Sequence, residues 1–158
     1  MSKLEREIHI DAPAEEVYDT LTDPDCLGEW VTIQDGLEEA PSRNLEKGDK
    51  IVQRMKVAGQ KFHVSWHVDE AERPSRIVWT GKGPMGAKAR AVYEIRTNGG
   101  DGCTFSYMNE YDLPGGPVGK LAGRAVVGAS GGEADRTLER LKKLIESGSN
   151  GSGPNGSS

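Results

Sequence analysis

The chain has 158 residues, 28% of them charged, with a formal net charge of -5; this length suits one domain that buries about two thirds of its unfolded surface without a disulfide or metal. The acidic balance argues against a phosphate-tracking nucleic-acid binder and against an anionic membrane surface, because both demand a basic face. Aromatic residues are only 6% of the chain while Gly reaches 21, so each Trp and Tyr carries unusual weight in any core or pocket.

In chain order, residues 4–10 alternate Leu4, Arg6, Ile8 and Ile10 against polar neighbours and read as a first strand with one mainly apolar face. Asp11 to Glu16 supplies a turn, and Val17, Tyr18 and Leu21 share one face of a short helix beginning near Pro13 or Ala14. A second short helix is expected from Pro24 to Trp30, with Asp23 as N-cap and Pro24 at the first helical position. From there to Leu113 the pattern changes to strands, near 33–40, 49–57, 60–71, 76–81, 87–97 and 102–112, separated by Gly- and Pro-containing breaks. Short breaks imply antiparallel neighbours and hence a seven-stranded meander.

Strand phase assigns the covered face. Ile51, Gln53, Met55 and Val57 fall on it, as do Phe62, Val64, Trp66 and Val68, then Ala87, Ala89, Ala91, Tyr93 and Ile95. In the last strand the covered set is Cys103, Phe105, Tyr107, Asn109 and Tyr111, which grows more polar towards the end that leads into the final helix. Buried polar groups need partners, so Tyr107, Asn109 and Tyr111 point to a pocket rather than to plain core.

The final helix reads in two parts. Ala134, Leu138, Leu141, Leu144 and Ile145 make an apolar stripe that suits a helix lying on a sheet. Residues 118–132 instead hold five glycines, each costing about 1 kcal/mol of helix preference relative to Ala, so this part is expected to be kinked, interrupted or mobile, a soft lid over a cavity. The domain is taken as 1–146, with 147–158 as a disordered tail rich in Gly, Ser and Asn.

Other motifs fail on context. Gly81-Lys-Gly-Pro-Met-Gly86 matches a dinucleotide fingerprint, yet a strand pattern follows it and Pro84 deletes a donor. His63 and His67 lie about 13 Å apart if their segment is a strand, too far to share one metal. Ser65 has no nucleophile-elbow glycines, and Cys26 and Cys103 lack an evident His partner. Neither a metal nor a cofactor is expected. The N-terminus lacks the apolar core of a secretory signal and no stretch spans a membrane, so the expected location is cytoplasmic, with both cysteines free.

The layout of strand, two short helices, six strands and long C-terminal helix resembles the START-like or helix-grip (SRPBCC) superfamily, and most of all its polyketide cyclase/dehydrase and lipid-transport group of bacterial proteins. The resemblance rests on Ile10-Asp-Ala-Pro-Ala-Glu-Glu-Val-Tyr-Asp-Thr-Leu-Thr-Asp-Pro24, Leu27-Gly-Glu-Trp30, Glu46-Lys-Gly-Asp49, Pro74-Ser-Arg-Ile-Val-Trp79 and Leu138-Glu-Arg-Leu-Lys-Lys-Leu-Ile-Glu146. It implies an α+β helix-grip fold, a curved seven-stranded antiparallel sheet wrapped around the C-terminal helix, with a cavity between them for a hydrophobic small molecule. On that resemblance the ligand-binding residues are Trp30, Met55, Trp66, Trp79, Tyr93, Tyr107, Asn109, Tyr111, Leu121 and Ala125, with Pro84 and Met85 at the mouth. Cyclases of similar fold employ inward polar groups, often Arg; here Arg54 and Arg90 lie on the outward phase, which leaves Arg124.

Two functions from different classes follow. One is a module that binds a lipid, polyketide or other apolar metabolite; the other is a cyclase, aromatase or dehydratase in which Tyr107 or Tyr111 donates to a ketone, and a protein-interaction module is a third. Binding is favoured because the sequence offers no acid–base pair.

Overall fold

The computed structural model describes residues 2–57, 59–97, 102–113 and 132–147. Within them the period-two segments become β1 (Ser2–Ile10), β2 (Gln34–Glu39), β3 (Lys50–Val57), β4 (Gln60–Glu72), β5 (Arg76–Lys82), β6 (Lys88–Thr97) and β7 (Cys103–Asp112). They form one sheet in the order β1-β7-β6-β5-β4-β3-β2, every neighbouring pair antiparallel. Register shifts in the β2–β3 ladder and between Val68 and Glu70 in the β4–β5 ladder mark bulges, which bend strands and strengthen their twist.

Between β1 and β2 the chain folds into α1 (Ala14–Leu21) and α2 (Pro24–Trp30). Asp23 caps α2 as its sequence suggests: its carboxylate accepts from the Asp25 N–H at 3.0 Å, and Pro24 occupies the first turn, where no N–H is needed. A third helix, α3, spans 132–147. Its Ala134, Leu138, Leu141 and Ile145 are buried, and Leu138, Leu141 and Ile145 join Ile10, Val17, Leu21 and Phe105 in the core. This is the helix-grip arrangement.

Polar contacts fasten α3 to the rest of the domain. Arg6 on β1 pairs with Asp135 at 2.9 Å, Lys142 Nζ donates to the His9 carbonyl at 2.9 Å, and the Asp11 N–H donates to Glu146 at 2.8 Å. Thr137 is buried on the same helix, and its Oγ1 accepts from the Thr32 N–H at 3.1 Å.

The outer face carries the charges. Arg54 pairs with Glu38 at 3.1 Å, Arg90 with Glu110 at 3.7 Å, and His63 and His67 lie exposed beside Glu38 and Asp69. One outward pair departs from the simple wet-face expectation. Val78 opposes Val92 across the β5–β6 ladder and both are buried, flanked by the Arg76–Glu94 ion pair and by Thr80 opposite Arg90. Long charged side chains can shield apolar surface with their stems while keeping their heads in water. The Gly81–Gly86 fingerprint match runs from the end of β5 into the β5–β6 connection, where a 3-10 turn over Pro84–Gly86 leads into a strand and no α-helix offers its N-terminus.

Candidate functional site

A cavity of about 400 Å³ opens on the inner face of the sheet, lined from β3 to β7, by Leu27 of α2 and by Val31 and Ile33 after it. Its size falls in the lower half of the usual range for small-molecule sites, about 300–1,000 Å³. Its floor is possible because the inward residues in the middle of β6, Ala89 and Ala91, are small, and the Gly81 opposite Ala89 lets the Trp66 ring lie low over β5. The aromatic side chains form a connected wall around it. Trp66 and Trp79 lie 6.2 Å apart, Trp79 meets Tyr93 edge-on at 5.6 Å, and Tyr93 stacks on Tyr107 at 5.4 Å with 16° between the planes.

Seven of the residues expected at the site line this cavity: Met55, Trp66, Trp79, Tyr93, Tyr107, Asn109 and Tyr111. Trp30 is placed elsewhere. It is fully buried behind the cavity wall, edge-on to Tyr93 at 6.3 Å, because the last turn of α2 delivers it into the core. Leu121, Ala125, Arg124 and the glycine-rich segment up to residue 131 lie outside the described residues, as does the tail beyond residue 147. Pro84 and Met85 stand at the rim, and Met85 is 88% exposed, the one large apolar side chain so exposed among the described residues.

Lys88, exposed at the rim, is the sole charged side chain among the described lining residues. The interior therefore suits an uncharged molecule, since an ion without a partner there would lose its hydration uncompensated. Burial raises the Tyr93 phenol well above its ordinary value, with smaller contributions from Tyr107 and Tyr111. Burial also raises Tyr107, which the Tyr111 charge would raise further and a hydrogen bond with Asn109 partly offsets, and burial alone raises Tyr111. All three are neutral phenols across the physiological range, equipped to donate hydrogen bonds and unsuited to act as bases.

Sequence reasoning did not mark as site residues either Gln53, which lines this wall, or Gly81, which lies beneath the Trp66 ring. Gln53 is 5% exposed and lines the cavity; its Oε1 accepts from Trp66 Nε1 at 3.0 Å and its Nε2 donates to Gln34 Oε1 at 2.6 Å. The inward phase of Gln53 was legible, but its role depends on cross-strand partners that sequence spacing does not reveal. At Gly81 a Cβ would come within 2.8 Å of the Trp66 ring, so this glycine is what lets the indole lie down across β5.

Among the described residues no group of three or more His, Cys, Asp or Glu side chains is placed to hold a metal ion, and no helix is long and apolar enough to cross a membrane. Cys26, whose thiol is pushed up to about 12 by burial and then by Asp23, is no nucleophile at neutral pH.

Comparison with known proteins agrees with this architecture. The uncharacterized protein Rv1546 of Mycobacterium tuberculosis is 26% identical over 145 residues, covering 91% of this chain and 99% of that one. Among solved structures, TTHA0849 from Thermus thermophilus matches with a TM-score of 0.76 at 18% identity, over 92% of this chain and 97% of the other. The Zhui aromatase/cyclase from a Streptomyces species matches with a TM-score of 0.75 at 13% identity, over 91% and 93% of the two chains. At such identities these two likenesses concern the fold. The match that extends over residues 1–146 is to the family described as polyketide cyclase / dehydrase and lipid transport, and the chain belongs to that family.

Proposed function

We propose that this protein binds an uncharged hydrophobic small molecule, a lipid, polyketide or other apolar or aromatic metabolite, in the cavity on the inner face of its sheet. The observation that carries this reading is the lining itself: an aromatic and aliphatic wall with a few convergent polar groups, Tyr107, Asn109 and Tyr111 among them. Trp66, Trp79, Tyr93 and Met55 supply apolar contact, and the polar trio holds one end of the ligand. The two free cysteines, Cys26 and Cys103, suit the cytoplasm as its place of action.

Binding is preferred to cyclase or dehydratase chemistry because no carboxylate or imidazole stands among the described lining residues beside the phenols, and because Arg54 and Arg90 are engaged in ion pairs on the outer face. Native mass spectrometry of protein purified from its own host tests the reading. A retained small molecule is expected, together with saturable quenching of Trp fluorescence when that molecule is titrated into stripped protein. Protein that carries nothing, and that neither extracts nor apolar probes perturb, would overturn it.

A further inference from the structure

Four hydrogen-bonded or packed steps link α2 to the middle of the sheet. Gly28 on α2 has no Cβ, and one added there would stand 3.2 Å from Gln34 Nε2, so the helix and the β2 side chain approach closely. Gln34 Oε1 accepts from Gln53 on β3, Gln53 Oε1 accepts from Trp66 on β4, and the far ring of Trp66 rests over Gly81 on β5. The indole is thus laid across the sheet, its N–H towards β3 and its benzo ring over β5. Because an indole N–H only donates, it must meet the Gln53 oxygen, which turns the Gln53 NH2 group towards Gln34.

That arrangement leaves Gln53 incompletely used. Its amide has two N–H groups and an oxygen with two lone pairs, and each end has one partner among the described residues. The side chain is 95% buried by its 5% exposure and faces the cavity, where spare polar capacity away from water costs free energy unless something meets it. The small residues continue the surface sideways. Trp66, Gly81, Ala89 and Tyr111 are successive cross-strand partners from β4 to β7, a row about 14 Å long at the usual strand spacing.

We propose that Gln53 and Trp66 form a second recognition pole, in which a flat ring stacks on the Trp66 indole and a hydroxyl or carbonyl oxygen on it is read by the Gln53 amide. The inference rests on the binding function proposed above and narrows its ligand class: a flat, uncharged molecule lying across the strands, with a hydrogen-bonding oxygen at each end. One end meets Tyr107, Asn109 and Tyr111, the other meets Gln53, and Ala89 leaves room between. A flexible acyl chain, with an oxygen at one end only, satisfies one pole and leaves Gln53 unmet.

The test uses three probes of one shape, biphenyl, 4-hydroxybiphenyl and 4,4′-dihydroxybiphenyl, titrated into ligand-stripped full-length protein by Trp fluorescence and calorimetry. The second hydroxyl is expected to tighten binding about fivefold over the first, the worth of one ordinary hydrogen bond. In Gln53→Leu that advantage disappears, read as the ratio of the two hydroxylated probes' affinities within the one variant, because the loss of the Trp66 partner bears on both probes alike; Gln53→Met takes its place if the Leu variant lacks a cooperative thermal transition. Failure of every probe to bind the wild-type protein overturns the flat-ligand proposal, and the binding function falls with it when the protein also carries nothing from its host and extracts leave it unperturbed. Binding in which the dihydroxy probe has no advantage, or keeps it without Gln53, overturns the second pole and leaves the binding function standing.

Discussion

Two halves of the same inner face behave differently. Towards one end of the sheet, Ile95 opposes Phe105 on β6 and β7, both buried, and these strands share a core with Leu138, Leu141 and Ile145 of α3. Towards the other end the inward residues of β6 shrink to Ala91 and Ala89, with Ala87 just before the strand, and those of β7 become Asn109 and Tyr111. Tyr93 and Tyr107, opposite each other and stacked, stand at the boundary. The strands, the ladder and the alternation are common to both halves, so within the sheet the halves differ in side-chain volume and polarity. Stability is concentrated where large apolar groups interlock, and a ligand is accommodated where they have been replaced by Ala and Gly.

This division predicts unequal responses to equal truncations. Phe105→Ala, in the filled half, is expected to cost about 3–5 kcal/mol, because it removes a fully buried ring from close packing. Phe62→Ala, half-buried on the cavity wall, is expected to cost about 1 kcal/mol, because part of its ring already faces open space and forfeits fewer contacts. Urea unfolding of both variants decides the matter. Equal losses would mean that the two halves are packed alike and that the cavity is no distinct region.

Enlarging a small residue sharpens the comparison from the other side. Ala89→Leu places a branched side chain above the floor between Trp66 and Tyr111, so it is expected to weaken binding of 4-hydroxybiphenyl by about tenfold or more while leaving the thermal midpoint unchanged or higher. In a packed core the same enlargement typically costs about 1–3 kcal/mol. A large drop in the midpoint would show that the space over Ala89 is not available.

The difference between the halves also explains what sequence could convey. Strand number, the cap at Asp23 and the inward phase of Tyr107, Asn109 and Tyr111 were all legible, since each follows from local periodicity or local hydrogen bonding. Depth within the covered layer was not. Trp30 and Trp79 look alike as sequence, yet one lies behind the wall and the other within it, because depth depends on how α2 meets the sheet. Gly81 appeared as part of an unproductive fingerprint, and its use became visible only with the Trp66 ring lying over it. Gln53 read as a polar interruption of an apolar face until the register placed Trp66 and Gln34 within its reach.

The smallest predicted effect concerns how the filled half holds α3. Glu133, near the start of that helix, is held below its ordinary value by Arg136 and then Thr32, and Glu146, near its end, by Lys142 and then the Asp11 N–H. Folding thus favours both deprotonated carboxylates. Their contribution is complete above the ordinary glutamate value, about 4.3, and is lost as pH falls through the lower folded values. Both groups are partly exposed and their ion pairs are screened by solvent, so the loss is modest. Glu146→Gln keeps an oxygen that can accept from Asp11 but cannot titrate, so its urea midpoint at neutral pH is expected to fall only slightly and its decline on acidification to be shallower than that of the wild type. If the two proteins decline with the same slope, Glu146 contributes nothing to the acid sensitivity of the anchor, and the hold on α3 rests on its buried stripe of Leu138, Leu141 and Ile145.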